Sequence, residues 1–160
     1  MSPAQPQGVP LVGGLPKQVG APPGAGRGAE DAGSTARPFS VYLHVPYCRV
    51  RCGYCDFNTY TNLDMGEGAS AADYVSTLAA ELRAARAAMD DAGLPAREAA
   101  TVFVGGGTPT MLAPSDLAAI IGLVREVFGL VEGAEVTTEA NPDSVDEAGL
   151  AALAEGGFTR

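Results

Sequence analysis

All three cysteines of this 160-residue chain lie within eight consecutive positions. Cys48, Cys52 and Cys55 have the spacing C-x3-C-x2-C in the segment "VYLHVPYCRVRCGYCDF", residues 41–57. Because cytosolic thiols stay reduced, an odd and tightly grouped set of cysteines indicates metal binding or catalysis before it indicates disulfides. Three thiolates on one loop can bind three irons of a [4Fe-4S] cluster and leave the fourth iron open to a ligand from outside the protein.

A closed zinc site of the Cys3His type is an alternative, with His44 as the fourth ligand. Structural zinc sites usually draw pairs of ligands from two separate loops, whereas these cysteines share one loop, so the spacing favours the cluster. Incidental reduced thiols are the remaining possibility. A single histidine at the end of an apolar strand is more often hydrogen-bonded than metal-bound, and we predict that role for His44.

Two further segments have residue types that suit ligand binding. The run "GGGTPT", residues 105–110, can bring its backbone close to a ligand, because glycine lacks a side chain and adopts positive φ. It matches neither the Walker A pattern nor G-x-G-x-x-G. Glu139 can accept hydrogen bonds from a ribose diol. Taken alone, the run is equally typical of a tight strand-to-helix turn. Glu139 taken alone is more typical of a solvated carboxylate at a strand end than of a ligand contact.

The elements that must position these residues alternate between strands and helices. Apolar periodicity predicts strands at 40–45, 101–104 and 135–140, and helices at about 70–93, from about 115, and at about 145–154. Ser70 is predicted to cap the amide of Asp73, and residues 158–160 look like the start of a fourth strand. This order predicts an α/β fold with parallel strands. The cysteines, the glycines and Glu139 then share the carboxyl edge of the sheet, where α/β sites assemble.

Composition narrows the classes of partner and the location. The chain has 10 Lys and Arg against 19 Asp and Glu, a net charge of -9 and no basic stripe, which disfavours nucleic acid and anionic membranes. No apolar run approaches the roughly 20 residues of a membrane span, and no secretory signal is visible, so we expect a cytoplasmic protein without stable membrane insertion. Residues 1–38 are rich in Pro, Gly and Ala and are predicted to be a disordered tail.

The three segments "VYLHVPYCRVRCGYCDF", "FVGGGTPTML" and "TTEANPDSV" together closely resemble the radical S-adenosylmethionine superfamily. The resemblance covers essentially all of residues 39–160. Within the superfamily they resemble the group that contains oxygen-independent coproporphyrinogen III oxidase and the HemW-type haem chaperone. This resemblance implies the N-terminal portion of a partial (β/α) barrel, cut off at the start of its fourth strand, since a complete (β/α)8 barrel has roughly 250 residues.

The resemblance also implies the ligands of two cofactors. Cys48, Cys52 and Cys55 would bind a [4Fe-4S] cluster, and S-adenosylmethionine would bind the open iron. Within the second cofactor, the glycines and the threonine would hold the amino-acid part, and Glu139 would meet the ribose. Arg160 matches the first residue of the family motif R-x-S-x-G-x-Q. The full set of implied S-adenosylmethionine contacts is Tyr42, Tyr54, Gly106, Gly107, Thr108, Glu139 and Arg160.

Phe57 separates the two relatives within this group. The oxidase resemblance calls for a further cysteine two places after the third, whereas the haem chaperone type has phenylalanine there, as this chain does. The sequence is therefore interpreted as haem chaperone-like, with haem as the cargo of the full-length protein and an unidentified haem acceptor protein as its partner. The alternative is radical decarboxylation of coproporphyrinogen, which Phe57 disfavours. A structural zinc module is the third alternative.

Overall fold

The computed structural model describes residues 37–160 of the chain. Within this range, three strands alternate with three α-helices, and short 3-10 turns follow the second and third strands. The elements are β1 (Phe39–Val45), α1 (Tyr74–Asp91), β2 (Ala99–Gly106), α2 (Pro114–Val127), β3 (Leu130–Thr138) and α3 (Glu147–Glu155). The predicted disordered tail, residues 1–38, lies outside the described residues except for its last two positions.

The three strands form one parallel sheet in the order β1-β2-β3. Tyr42 of β1 is paired with Phe103 of β2, which is paired in turn with Thr137 of β3. Parallel neighbours cannot be joined by a tight hairpin, and here α1 and α2 make the two crossovers. The predicted α/β fold with parallel strands is therefore confirmed, and the carboxyl ends of all three strands lie at one edge of the sheet.

The core lies on one face of this sheet. Alternate residues of the strands pack there against apolar residues of the helices, because successive side chains of a strand point to opposite faces. The buried residues of the strands and helices in this core include Leu43, Val45, Val102, Val104, Val136, Leu78, Leu82, Leu117, Ile120, Ile121, Val124 and Leu153. The other face presents Ser40, Tyr42 and Phe103, and all three are exposed. The sheet is thus apolar on its helix side and aromatic and polar on its open side.

Several boundaries differ from the sequence-based prediction. The first helix begins at Tyr74, four residues after Ser70, because residues 71–73 form turns. Ser70 Oγ still accepts a hydrogen bond from the Asp73 amide, at 3.3 Å, as predicted. The third strand begins at Leu130, five residues before the prediction. Leu130 pairs with Ala99 of β2, and the pairing resumes at Glu135 after a register shift, so the polar and glycine positions between them gave little strand signal.

Residues 158–160 do not form a regular strand, although they run along β3. The amides of Thr159 and Arg160 donate to the Val136 carbonyl at 2.8 and 3.1 Å, and the Thr138 amide donates to the Arg160 carbonyl at 3.0 Å. The predicted position beside the sheet is therefore observed without the regular strand. Among residues 37–160, no helix has the length and apolar character needed to cross a membrane.

Candidate metal and cofactor site

The three cysteines lie on the segment that follows β1, at the carboxyl edge of the sheet. Cys48 is buried, with 8% of its surface exposed, whereas Cys52 is exposed and Cys55 is half-buried. The Cys55 amide donates to the Cys52 carbonyl at 3.1 Å, so the second and third cysteines are the first and last residues of one tight turn. The sequence prediction that the cysteines follow the first strand at this edge is confirmed.

Residues 46–60, which we call the cysteine loop, are closed at their base. The Cys48 amide donates to the Tyr60 carbonyl at 2.9 Å, and the Tyr60 amide donates to the Pro46 carbonyl at 2.7 Å. His44 Nε2 lies 2.9 Å from the Asn58 carbonyl oxygen and adds a side-chain contact at the same base. All three cysteines are therefore held on a loop whose two ends are joined by hydrogen bonds.

The glycine run packs against this loop and against the neighbouring strand ends. Gly105 and Gly106 are the last two residues of β2, and a Cβ on Gly105 would lie 2.5 Å from the Phe103 ring. Gly106 has φ +114°, and a Cβ there would lie 2.5 Å from His44 Nδ1. A Cβ on Gly107 would lie 2.5 Å from the Tyr47 carbonyl oxygen and 2.9 Å from Cys48 Sγ. The glycine run therefore packs closely against neighbouring protein atoms, in addition to being a candidate cofactor contact.

Thr108 continues the same contact surface toward the first cysteine. Its amide donates to the Tyr47 carbonyl at 2.7 Å, and the Gly107 amide donates to the Val45 carbonyl at 2.8 Å. The Thr108 hydroxyl lies 4.0 Å from Cys48 Sγ. These bonds fix the glycine run to the start of the cysteine loop, as a site shared by both segments requires.

Glu139 follows β3 directly and lies beside the glycine run. Its amide donates to the Val104 carbonyl at 3.0 Å, and its Oε2 accepts a hydrogen bond from the Gly106 amide, also at 3.0 Å. The sequence predicted either a solvated carboxylate or a ribose contact at this position. The structure shows that one carboxylate oxygen accepts a hydrogen bond from the protein backbone. The predicted convergence of the second and third strand ends is therefore confirmed.

Tyr42 lies on the open face of the sheet, with 55% of its surface exposed. Its ring stacks on Phe103, with centroids 6.0 Å apart, and its hydroxyl lies 3.0 Å from His44 Nδ1. Partial burial, and then the negative charge of Glu139, raise the pKa of Tyr42 above the usual value for a phenol. Tyr42 therefore stays protonated at neutral pH and can donate a hydrogen bond.

Two predicted cofactor contacts lie apart from this group. Tyr54 is on the cysteine loop with 89% of its surface exposed. The Arg160 backbone is hydrogen-bonded to Thr138 at the carboxyl end of β3, but its guanidinium is directed back along the strand, where Nη1 lies 3.5 Å from Glu135 Oε2. The structure thus brings together Tyr42, the glycine run and Glu139, whereas the roles of Tyr54 and Arg160 stay predictions from the resemblance.

Sequence reasoning missed the links that His44 makes. The prediction that His44 is hydrogen-bonded is confirmed, but its partners, the Tyr42 hydroxyl and the Asn58 carbonyl, were not foreseen. The alternation of side chains along a strand could have predicted the contact with Tyr42, because it places residues 42 and 44 on the same face. Phe103 was also missed, although its pairing with Tyr42 follows from the register of β1 and β2.

The donor set fits an iron–sulfur cluster better than a Cys3His zinc site. Both ring nitrogens of His44 are engaged by protein partners, so in this arrangement the ring does not complete a zinc shell. The cysteines are free thiols, and within residues 37–160 no three Cys, His, Asp or Glu side chains are already gathered as a metal site. Gly107 leaves Cys48 Sγ uncovered by a side chain, and three thiols on one loop match a cluster with one open iron.

These features define an α/β protein with a three-cysteine loop at the carboxyl edge of a parallel sheet. Residues 42–160 match the Radical SAM superfamily, and the chain belongs to that superfamily. It is 48% identical over 124 residues to the Heme chaperone HemW of Mycobacterium tuberculosis H37Rv, a match that covers 78% of this chain. It is 37% identical over 122 residues to the oxygen-independent coproporphyrinogen III oxidase of Paracoccus denitrificans, which covers 76% of this chain.

The fold has a counterpart among solved structures. Coproporphyrinogen III oxidase (HemN) from Escherichia coli, a radical SAM enzyme, superimposes with a TM-score of 0.64 at 30% identity and covers 78% of this chain. The matched region is 30% of the HemW relative, 25% of the Paracoccus oxidase and 27% of the HemN chain. This chain therefore spans less than a third of each of these relatives.

Proposed function

We propose that this chain carries the cluster loop and part of the S-adenosylmethionine site of a haem chaperone-like radical SAM protein. The observation that carries the proposal is the closed cysteine loop, which lies against Gly107 and Thr108 at the edge where Glu139 also lies. Cys48, Cys52 and Cys55 would bind three irons of a [4Fe-4S] cluster as thiolates. When bound, the cluster supplies one electron, which in this superfamily cleaves S-adenosylmethionine to methionine and a 5′-deoxyadenosyl radical.

The hydrogen bonds of the glycine run indicate which part of the cofactor it suits. The amides of Gly106, Gly107 and Thr108 already donate to Glu139, Val45 and Tyr47, respectively. Carbonyl oxygens and the Thr108 hydroxyl are then the groups that this stretch can present. Oxygen acceptors suit an ammonium group, so the run fits the amino group of an amino-acid moiety better than it fits a phosphate.

Tyr42 and Glu139 would hold the remaining part of the cofactor. Tyr42 presents an exposed aromatic ring on the open face, and an aromatic face attracts a cation such as a sulfonium. The carboxylate of Glu139 adds negative charge beside Tyr42 and can accept hydrogen bonds from ribose hydroxyls. Together these residues would orient the cofactor along the strand ends.

Haem chaperone activity is proposed ahead of porphyrinogen oxidation because of Phe57. This residue occupies the place where the oxidase resemblance calls for a cysteine, and 58% of its surface is exposed. The 48% identity to a protein named a haem chaperone supports the same choice. In this proposal the full-length protein binds haem in the cytoplasm and passes it to an acceptor protein. The second candidate is coproporphyrinogen decarboxylation, supported by the 37% identity to an oxidase and the fold shared with HemN.

Anaerobic reconstitution with iron and sulfide tests the cluster. We expect about four irons per chain and a reduced EPR spectrum that changes when S-adenosylmethionine is added. Replacing Cys48, Cys52 or Cys55 with serine should in each case abolish both signals. Ser76→Ala, at an exposed position of α1, should leave them unchanged. Stoichiometric zinc without a cluster in the wild type would overturn the proposal.

A second assay separates the two candidate functions. Full-length protein with its cluster is titrated with haem and, separately, incubated with coproporphyrinogen under anaerobic reducing conditions. Haem binding without decarboxylation supports the chaperone. Decarboxylation would refute the argument from Phe57 and favour the oxidase.

A further inference from the structure

The imidazole of His44 connects the cysteine loop to the open face of the sheet. Its Nε2 lies 2.9 Å from the Asn58 carbonyl oxygen, and its Nδ1 lies 3.0 Å from the Tyr42 hydroxyl. A carbonyl oxygen can only accept, so Nε2 must carry the proton and donate it to Asn58. In the neutral ring Nδ1 is then an acceptor, and the Tyr42 hydroxyl donates to it. For the neutral ring, the contacts therefore define one tautomer and one direction of hydrogen bonding.

The contact with Asn58 spans all three cysteines. His44 precedes Cys48 by four residues and Asn58 follows Cys55 by three, so this bond closes a segment that contains every predicted iron ligand. The two other contacts at the base of the loop join the amide and carbonyl of Tyr60 to the backbone of Pro46 and Cys48. His44 supplies the side-chain contact, which is the one that a substitution can remove without altering the backbone.

The position of the ring is set by its surroundings. Gly106 lies directly against it, because a Cβ there would be 2.5 Å from Nδ1 and 2.6 Å from Cε1. The backbone of His44 is held from the other side, where the Tyr74 hydroxyl of α1 donates to the His44 carbonyl at 2.8 Å. A ring confined in this way can transmit the position of Asn58 to Tyr42.

We propose that His44, as the neutral Nε2–H tautomer, is a positioning residue that couples the cysteine loop to Tyr42. Through Asn58 it holds the loop closed, and through Nδ1 it fixes the hydroxyl of an aromatic side chain on the cofactor face. The loop-closing role stands on the contacts alone. The link to S-adenosylmethionine rests on the proposed function.

Two conservative variants separate the two hydrogen bonds. In His44→Gln the side-chain amide nitrogen reaches about as far as Nε2 and can still donate to the Asn58 carbonyl. In His44→Asn the shorter amide can place its oxygen near Nδ1, where Tyr42 donates, but it cannot reach Asn58. Tyr42→Phe is the matched control, because it removes the hydroxyl and leaves His44 and Asn58 intact.

The first test needs no cluster and measures thiol alkylation in the apo-protein. Mass spectrometry follows the iodoacetamide reaction of Cys48, which is buried, relative to that of Cys52, which is exposed. We expect His44→Asn to raise the Cys48:Cys52 rate ratio about fivefold to tenfold, as the loss of one net hydrogen bond implies, and His44→Gln and Tyr42→Phe to leave it within about twofold. An unchanged ratio in His44→Asn, or an equal rise in His44→Gln, would overturn the loop-closing role.

The second test uses the reconstituted full chain and the EPR change caused by S-adenosylmethionine. Tyr42→Phe removes the hydroxyl and His44→Gln removes its acceptor, so both variants should retain their iron and show a weaker change than wild type. Circular dichroism checks that each variant keeps its secondary structure. A wild type without any cluster would refute the proposed function and leave the alkylation result standing. A cluster with an unaltered response in His44→Gln would refute the coupling to Tyr42.

Discussion

Gly107→Ala tests whether close packing of the glycine run holds the cysteine loop in place. The new Cβ would lie 2.5 Å from the Tyr47 carbonyl oxygen and 2.9 Å from Cys48 Sγ. Gly107 does not have a positive φ, so alanine adds a steric clash without adding backbone strain. An ordinary C···O contact is about 3.3 Å, which means that the loop must move back by roughly 0.8 Å.

This displacement acts on two hydrogen bonds as well as on packing. Two hydrogen bonds join the glycine run to the segment that would move: the Gly107 amide donates to Val45 at 2.8 Å, and the Thr108 amide donates to Tyr47 at 2.7 Å. Overpacking typically costs about 1–3 kcal/mol, and a weakened hydrogen bond adds about 1 kcal/mol. We therefore expect the free energy of unfolding to fall by about 2–4 kcal/mol, which is a large part of a typical domain's stability.

Urea denaturation followed by circular dichroism measures this loss. With a slope of about 1–3 kcal/mol per molar urea, the midpoint should fall by about 1–2 M. Gly122→Ala is the matched control, because Gly122 is exposed inside α2 and no atom of the described residues lies within 4 Å of its Cβ position. Alanine there should raise stability by about 1 kcal/mol through helix propensity. The reasoning is refuted if both variants shift the midpoint upward, or if Gly107→Ala stays within about 0.5 kcal/mol of wild type.

Three further predictions concern single side chains. Burial, and then the charge of Glu81, raise the pKa of Tyr74 well above its usual value, so this tyrosine binds its proton more tightly in the folded state than in the unfolded state. The free energy of unfolding should therefore fall as the pH rises above about 10. In Tyr74→Phe, the urea midpoint should fall less steeply with pH than in wild type. Glu139→Gln should lower the pKa of Tyr42, measured by tyrosinate absorbance against Glu132→Gln as control; an unchanged Tyr42 titration would contradict the electrostatic contact. Gly156→Ala should lower the melting temperature, because its Cβ would lie 2.7 Å from the Ala118 Cβ where α3 packs on α2; an unchanged value would contradict this packing.

The order of elements and the location of the site could be predicted from the sequence because both rest on short-range signals. β-branched runs predicted β1 and β2, and the residues that break the pattern after each strand marked the carboxyl edge. The start of β3 was placed five residues late because Glu132 and Gly133 resemble a loop in composition. The pairing of Leu130 with Ala99 of β2 extends the strand despite that weak propensity.

The contacts within the site could not be predicted in the same way. The link from His44 to Asn58 joins residues 14 positions apart, and its formation depends on the path of an irregular loop. The bond from Gly106 to Glu139 likewise depends on the register between two strands. Periodicity shows on which face a side chain lies, but it contains no information about the partner that a loop or a neighbouring strand brings to it.

The two faces of the sheet carry different kinds of residue: those that stabilise the fold and those that are open to a bound molecule. Leu43, Val102 and Val136 belong to the core, and a substitution at any of them alters the packing of the helices. Tyr42 and Phe103 alternate with these residues on the opposite face, where their rings are exposed. A substitution on that face leaves the packing of the helices intact and should change stability less than one in the core. The same scaffold can therefore evolve toward a new bound molecule while its helices and cysteine loop stay as they are.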